Sequence, residues 1–139
     1  TGYWHILTLV ERKNREVYIS LMRSKNAMKC NSVIYKLIKK YKLNVKTITC
    51  DNGLEFEKIG LLAHWIDAKV YFCEPHASWQ RGSNEHINWS IRRWYKKGYD
   101  FNLLTQADIE RLQNDINNMP RKMFNWLSSN QYKQSINIH

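Results

Sequence analysis

Apolar and polar positions trade places along this chain in two rhythms. The stretch "HILTLVER" (5–12) alternates at the period of a strand, with Ile6 and Leu7 thickening its apolar side. "REVYISLM" (15–22) reads as its partner, and "RKN" between them supplies the turn. From Asn26 to Tyr41 the period changes to that of a helix: Val33, Ile34, Leu37, Ile38 and Tyr41 share one face, with Lys36, Lys39 and Lys40 opposite. "VKTITC" (45–50) is a short strand rich in β-branched residues, and "FEKIGLLAHWI" (56–66) a helix interrupted by one glycine. "AKVYFC" (68–73) is a further strand, ended by Pro75.

A polar loop is expected over 75–83, then a helix from Ser83 to Lys97 stopped by Gly98. Taking Ile87 as its core direction, Ile91 and Trp94 fall near it, while Glu85, Trp89, Arg92 and Lys96 gather opposite. Thr105, with Asp108 three residues on, begins a last helix through Asn118. The tail from Pro120 carries Phe124 and Trp126 and is expected to pack down. The order ββαβαβαα predicts an α/β protein, a mixed sheet flanked by helices.

The 139 residues suffice for one domain with its own core, and the 43% apolar content, with six tryptophans, excludes disorder. No apolar run approaches a membrane span. Cys30, Cys50 and Cys73 are widely spaced and form no CxxC pair, which suits free thiols in a reducing cytoplasm. They form no zinc pattern with His64, His76 and His86. The net charge of +10 is uneven: residues 1–50 hold eleven Lys/Arg against Glu11 and Glu16, whereas residues 51–100 hold seven of each sign. A basic body with carboxylates gathered in its middle third fits a protein that holds a polyanion and does metal chemistry on it.

Two carboxylates stand out. Asp51 ends a predicted strand and is followed by Asn52 and Gly53, a place where α/β sheets commonly hold ligands, although "DNG" alone more often caps a turn. Glu85 heads its basic helix, where the helix dipole favours an anion.

Thirty-three residues separate Asp51 from Glu85. With "LTLVERKNR" (7–15), "TCDNGLEF" (49–56), "WQRGSNE" (79–85), "IRRW" (91–94), "KGYDF" (97–101) and "PRK" (120–122), this spacing resembles the integrase core of DDE transposases, above all the IS-thirty insertion-sequence family. His86, Trp89 and Lys96 depart from the family pattern and concern local DNA contacts. The "WQRGSNE" block argues against a ribonuclease acting on RNA–DNA hybrids.

The resemblance implies a ribonuclease-H-like fold and metal-dependent hydrolysis and strand transfer at transposon ends. It implies Asp51 and Glu85 as carriers of Mg²⁺ or Mn²⁺, a cation pair about 3.5–4 Å apart in such sites. Gln80, Arg81, Asn84, Asn88, Arg92 and Arg93 become candidates for DNA contact. Glu55, inside the "DNGLEF" block, is expected to anchor local structure.

The family's first Asp lies on a strand before "ILTLVER", which this sequence begins too late to include. Residues 1–139 are therefore expected to form an N-terminally truncated core lacking the central strand, with 105–139 packed on it as a helix and tail. The gap would be closed by direct pairing of the 6–12 and 45–50 strands or filled by a second copy. The chain alone would be inactive. DNA, a homodimer or higher oligomer, and a nucleoid-associated place in the cytoplasm complete the expectation. The alternative is a catalytically inactive, DNA-binding transposase fragment.

Overall fold

β-Branched and aromatic residues at alternating positions produce the first hairpin of the computed structural model, which describes residues 5–72, 89–96, 98–131 and 133. Strand β1 (His5–Val10) pairs with β2 (Val17–Met22). The first strand is two residues shorter than its pattern predicts, because Glu11 is spent on the turn. Its carboxylate accepts from the backbone N–H groups of Lys13 (3.0 Å) and Asn14 (2.6 Å). Asn14 Oδ1 accepts from Glu16 N–H at 2.8 Å, and Arg15 takes a left-handed φ of 59°.

The described residues fall into two compact units, 5–7 with 20–72, and 8–19 with 89–96, 98–131 and 133. In the first, α1 (Ala27–Lys40) is capped by Asn26, whose side chain accepts from Met28 and Lys29 N–H. Its buried side is Cys30, Asn31, Ile34, Leu37 and Ile38; of the expected face, Val33 and Tyr41 are only half-buried. A 3₁₀ turn (Leu54–Phe56) precedes α2 (Ile59–Trp65), which therefore starts three residues later than expected. Both the turn and α2 pack on α1, and α2 packs on β4 (Lys69–Phe72). The short strand β3 (Thr47–Cys50) pairs with β4 in parallel, Thr47 opposite Lys69 and Cys50 opposite Phe72. A parallel pair needs a crossover, and α2 provides it.

In the second unit, residues 89–94 are helical and are named α3. It ends before Gly98, three residues short of the expected Lys97, although Tyr95 N–H still bonds to Ile91 C=O at 2.8 Å. Ile91 is buried as expected. Trp94 is not: it is 58% exposed, because its indole N–H reaches out to Asp115 Oδ2 at 2.8 Å. Helix α4 (Gln106–Asn117) opens with the predicted capping box, Thr105 and Asp108 bonding each other's backbone. Its buried face, Ile109, Leu112, Gln113, Ile116 and Asn117, mixes aliphatics with two amides that bond to β2. The tail is half as predicted: Phe124 is buried, whereas Trp126 is exposed in a left-handed turn (φ 68°).

Among the described residues the strands form two two-stranded sheets, β1–β2 and β3–β4. Direct pairing of the 6–12 and 45–50 strands, one of the two expected ways to close the gap, is not present there. No described helix is long and apolar enough to cross a membrane.

Candidate active site

Asp51 leaves the C-terminal end of β3 as a half-buried carboxylate. Its Oδ1 accepts from Gly53 N–H at 2.8 Å, which folds the chain back toward the 3₁₀ turn. Gly53 itself has φ −60°, so no left-handed conformation requires a glycine there. What the glycine leaves is room beside two side-chain carboxylates. A Cβ on Gly53 would stand 2.7 Å from Glu55 Oε2 and 2.9 Å from Asp51 Oδ1. Both carboxylates therefore converge on one point above the glycine. Glu55 was expected only to anchor local structure, and this convergence is what the sequence did not show. The signal available was the spacing in "DNGLE", which a tight turn folds onto itself.

The same corner carries Cys30, fully buried on α1. Burial, with the Glu55 carboxylate as a second cause, pushes its thiol up to about 11. A thiol held protonated there is packing, not a nucleophile. Among the described residues no three His, Cys, Asp or Glu side chains are grouped to hold a metal ion.

Glu85 and the candidate DNA contacts Gln80, Arg81, Asn84 and Asn88 lie outside the described residues. Arg92 and Arg93 are described, and both are exposed on α3. The Arg93 guanidinium lies 5.9 Å from the Trp89 ring centre and 5.5 Å from that of Trp94. Two exposed indoles thus hold one arginine by cation–π attraction. Trp89 was expected beside Arg92 and Lys96; the ring instead meets Arg93, four residues on.

The chain is 39% identical over 133 residues to the transposase for insertion sequence element IS4351 of Bacteroides fragilis, covering 95% of this chain and 41% of that protein. It is 34% identical over 119 residues to transposase InsI for IS30A of Escherichia coli K12, covering 85% and 31%. These curated relatives are IS30-family transposases, and it is to them that this chain is similar. No protein-family model matches it. The chain spans less than half the length of either relative. The structure resembles the catalytic core domain of BIV integrase with a TM-score of 0.72 and 18% identity, covering 99% of this chain and 92% of that one. The expected ribonuclease-H-like α/β class is therefore the fold of this chain.

Proposed function

We propose that residues 1–139 act as the catalytic-core region of an IS30-type transposase, with 105–139 as its C-terminal helix and tail. It hydrolyses a phosphodiester at the transposon end and joins the freed 3′-hydroxyl to target DNA. The observation that carries this is Asp51, a carboxylate at the C-terminal end of a parallel strand inside a family-matching block.

Asp51 fits a hard divalent cation. It offers oxygen donors only, and one Gly53 N–H leaves further lone pairs for a ligand. Glu85 is the second carboxylate of the proposal, on its 33-residue spacing and its place among basic residues. Mg²⁺ or Mn²⁺ bound there would supply charge stabilisation to the attacking and leaving oxygens. The residues' own share is to hold that charge in place and to grip the DNA. Arg92 and Arg93, with Gln80, Arg81, Asn84 and Asn88, are assigned to phosphates and base edges. Residues 1–139 bring two carboxylates, Asp51 and Glu85, to that chemistry. A homodimer or higher oligomer on DNA, in the nucleoid, is the working form.

The test is metal-dependent cleavage of a labelled transposon end by the chain joined to its family's upstream Asp strand. Asp51→Asn and Glu85→Gln should each abolish cleavage and leave DNA binding within about twofold, since the removed groups repel phosphate rather than hold it. Cleavage that survives both substitutions would refute the assignment. So would ordered Asp51 and Glu85 carboxylates more than about 12 Å apart, too far for a cation pair about 4 Å apart to link.

A further inference from the structure

Between Val17 and Cys50 the chain carries eight Lys/Arg and not one Asp or Glu. Helix α1 ends inside this run, with Lys39 and Lys40 in its last turn. Lys42 follows in the left-handed region at φ 52°. There Leu43 N–H bonds to Ile38 C=O (2.9 Å) and Lys42 N–H to Lys39 C=O (3.4 Å), the helix stop that glycine usually serves. Glycine would take this conformation without strain, so a cation stands where the backbone favours a residue with no side chain.

Beside it α2 presents Trp65, 78% exposed, with its ring 5.8 Å from that of Tyr35. The Lys39 ammonium lies 5.4 Å from the Tyr35 ring centre. Tyr35, Ile38, Lys39, Lys42, Leu43 and Trp65 line a cavity of about 500 Å³. An apolar floor and aromatic wall accept a flat ring, and the lysines accept an anion. The lysine run extends beyond the cavity to Lys36, Lys40 and Lys46, which matches an extended polyanion better than one carboxylate. In a duplex the base faces are already stacked; in a single strand they are open to an aromatic side chain.

We propose that this cavity seats an unpaired base of single-stranded DNA on Trp65 and Tyr35, with the neighbouring phosphates on Lys39 and Lys42. The inference rests on the DNA-handling reading above, and concerns a unit that does not contain Arg92 and Arg93.

Fluorescence anisotropy with one oligonucleotide, single-stranded and as a duplex, tests it on the full chain. Trp65→Ala should weaken single-strand binding on the order of tenfold and leave duplex binding unchanged. Lys42→Gly should also weaken single-strand binding and lower its log K against log salt slope by about 0.7, the value for one phosphate contact. Its thermal midpoint should rise, because glycine relieves the left-handed strain, so unfolding cannot explain the loss. Equal single-strand and duplex affinities, unmoved by either substitution, overturn the proposal. It is equally overturned if Trp65→Ala changes only the sedimentation of the chain, which would make a second copy the occupant. Should single-strand binding ignore both substitutions while Arg92→Glu with Arg93→Glu weakens all binding, this proposal falls alone. A chain that binds no DNA in any form takes the parent reading down with it.

Discussion

Asn117 bonds both backbone groups of Val17: its Oδ1 accepts from the Val17 N–H at 2.7 Å, and its Nδ2 donates to the Val17 C=O at 2.8 Å. Two residues along β2, Ile19 N–H donates to Gln113 Oε1 at 2.9 Å. Side chains four apart on α4 thus replace the peptide groups of a neighbouring strand. The first half of the β2 edge is thus satisfied by a helix, which removes that stretch as a template for another strand.

Asn117→Leu should therefore destabilise the protein by about 2–5 kcal/mol, since it leaves a buried N–H and a buried C=O unpaired at roughly 1–3 kcal/mol each. Asn117→Asp keeps the acceptor and loses the donor, and it buries a charge as well. Urea unfolding checks both; a loss below about 0.5 kcal/mol for the leucine variant would show that water takes over the pairing.

At the start of α4, Asp108 accepts from the backbone and hydroxyl of Thr105 and pairs with Arg111. The backbone N–H of Thr105, first, and its hydroxyl hold the Asp108 carboxyl below the usual range. A depressed carboxyl contributes stability that is present above its unfolded value, 3.8, and is lost as pH falls through the folded one. Thr105→Ala should cost about 1 kcal/mol at neutral pH through the lost cap. It should also shift the acid limb of the stability curve toward a shallower fall below pH 4. Thermal melts between pH 2 and 7 would show an unchanged acid limb if the box contributes nothing.

Cys30, raised to about 11 by burial and then by Glu55, should resist iodoacetamide at pH 8 in the native chain and react once it is unfolded. Its raised value adds stability that is whole below the unfolded value, 9.0, and fades as pH rises toward 11. Peptide mapping by mass spectrometry after brief alkylation decides it. Prompt modification of native Cys30 would contradict the burial.

Duplex binding should be largely independent of sequence and should weaken steeply with salt, given the excess of nine positive charges in residues 1–50 and the exposed arginines of α3. Arg92→Glu with Arg93→Glu should reduce affinity for any duplex and lower the log–log salt slope by about 2. A flat salt dependence would remove the phosphate-tracking surface from α3.

Local rules carried much of this protein. The capping box at Thr105, most of the buried stripe of α1 and the strands on either side of α2 were legible from spacing alone, because capping and periodicity act between residues a few positions apart. The carboxylate at Asp51, the basic first fifty residues and the family blocks were equally plain in one dimension. Other features depend on partners distant in the chain. Trp94 faces outward because Asp115, on α4, offers an acceptor. The two amides of α4 are buried because β2, about a hundred residues earlier, needs peptide-like partners. The aromatic pocket between α1 and α2 exists only once helices pack, since side-chain convergence there is set by three-dimensional separation and not by sequence distance.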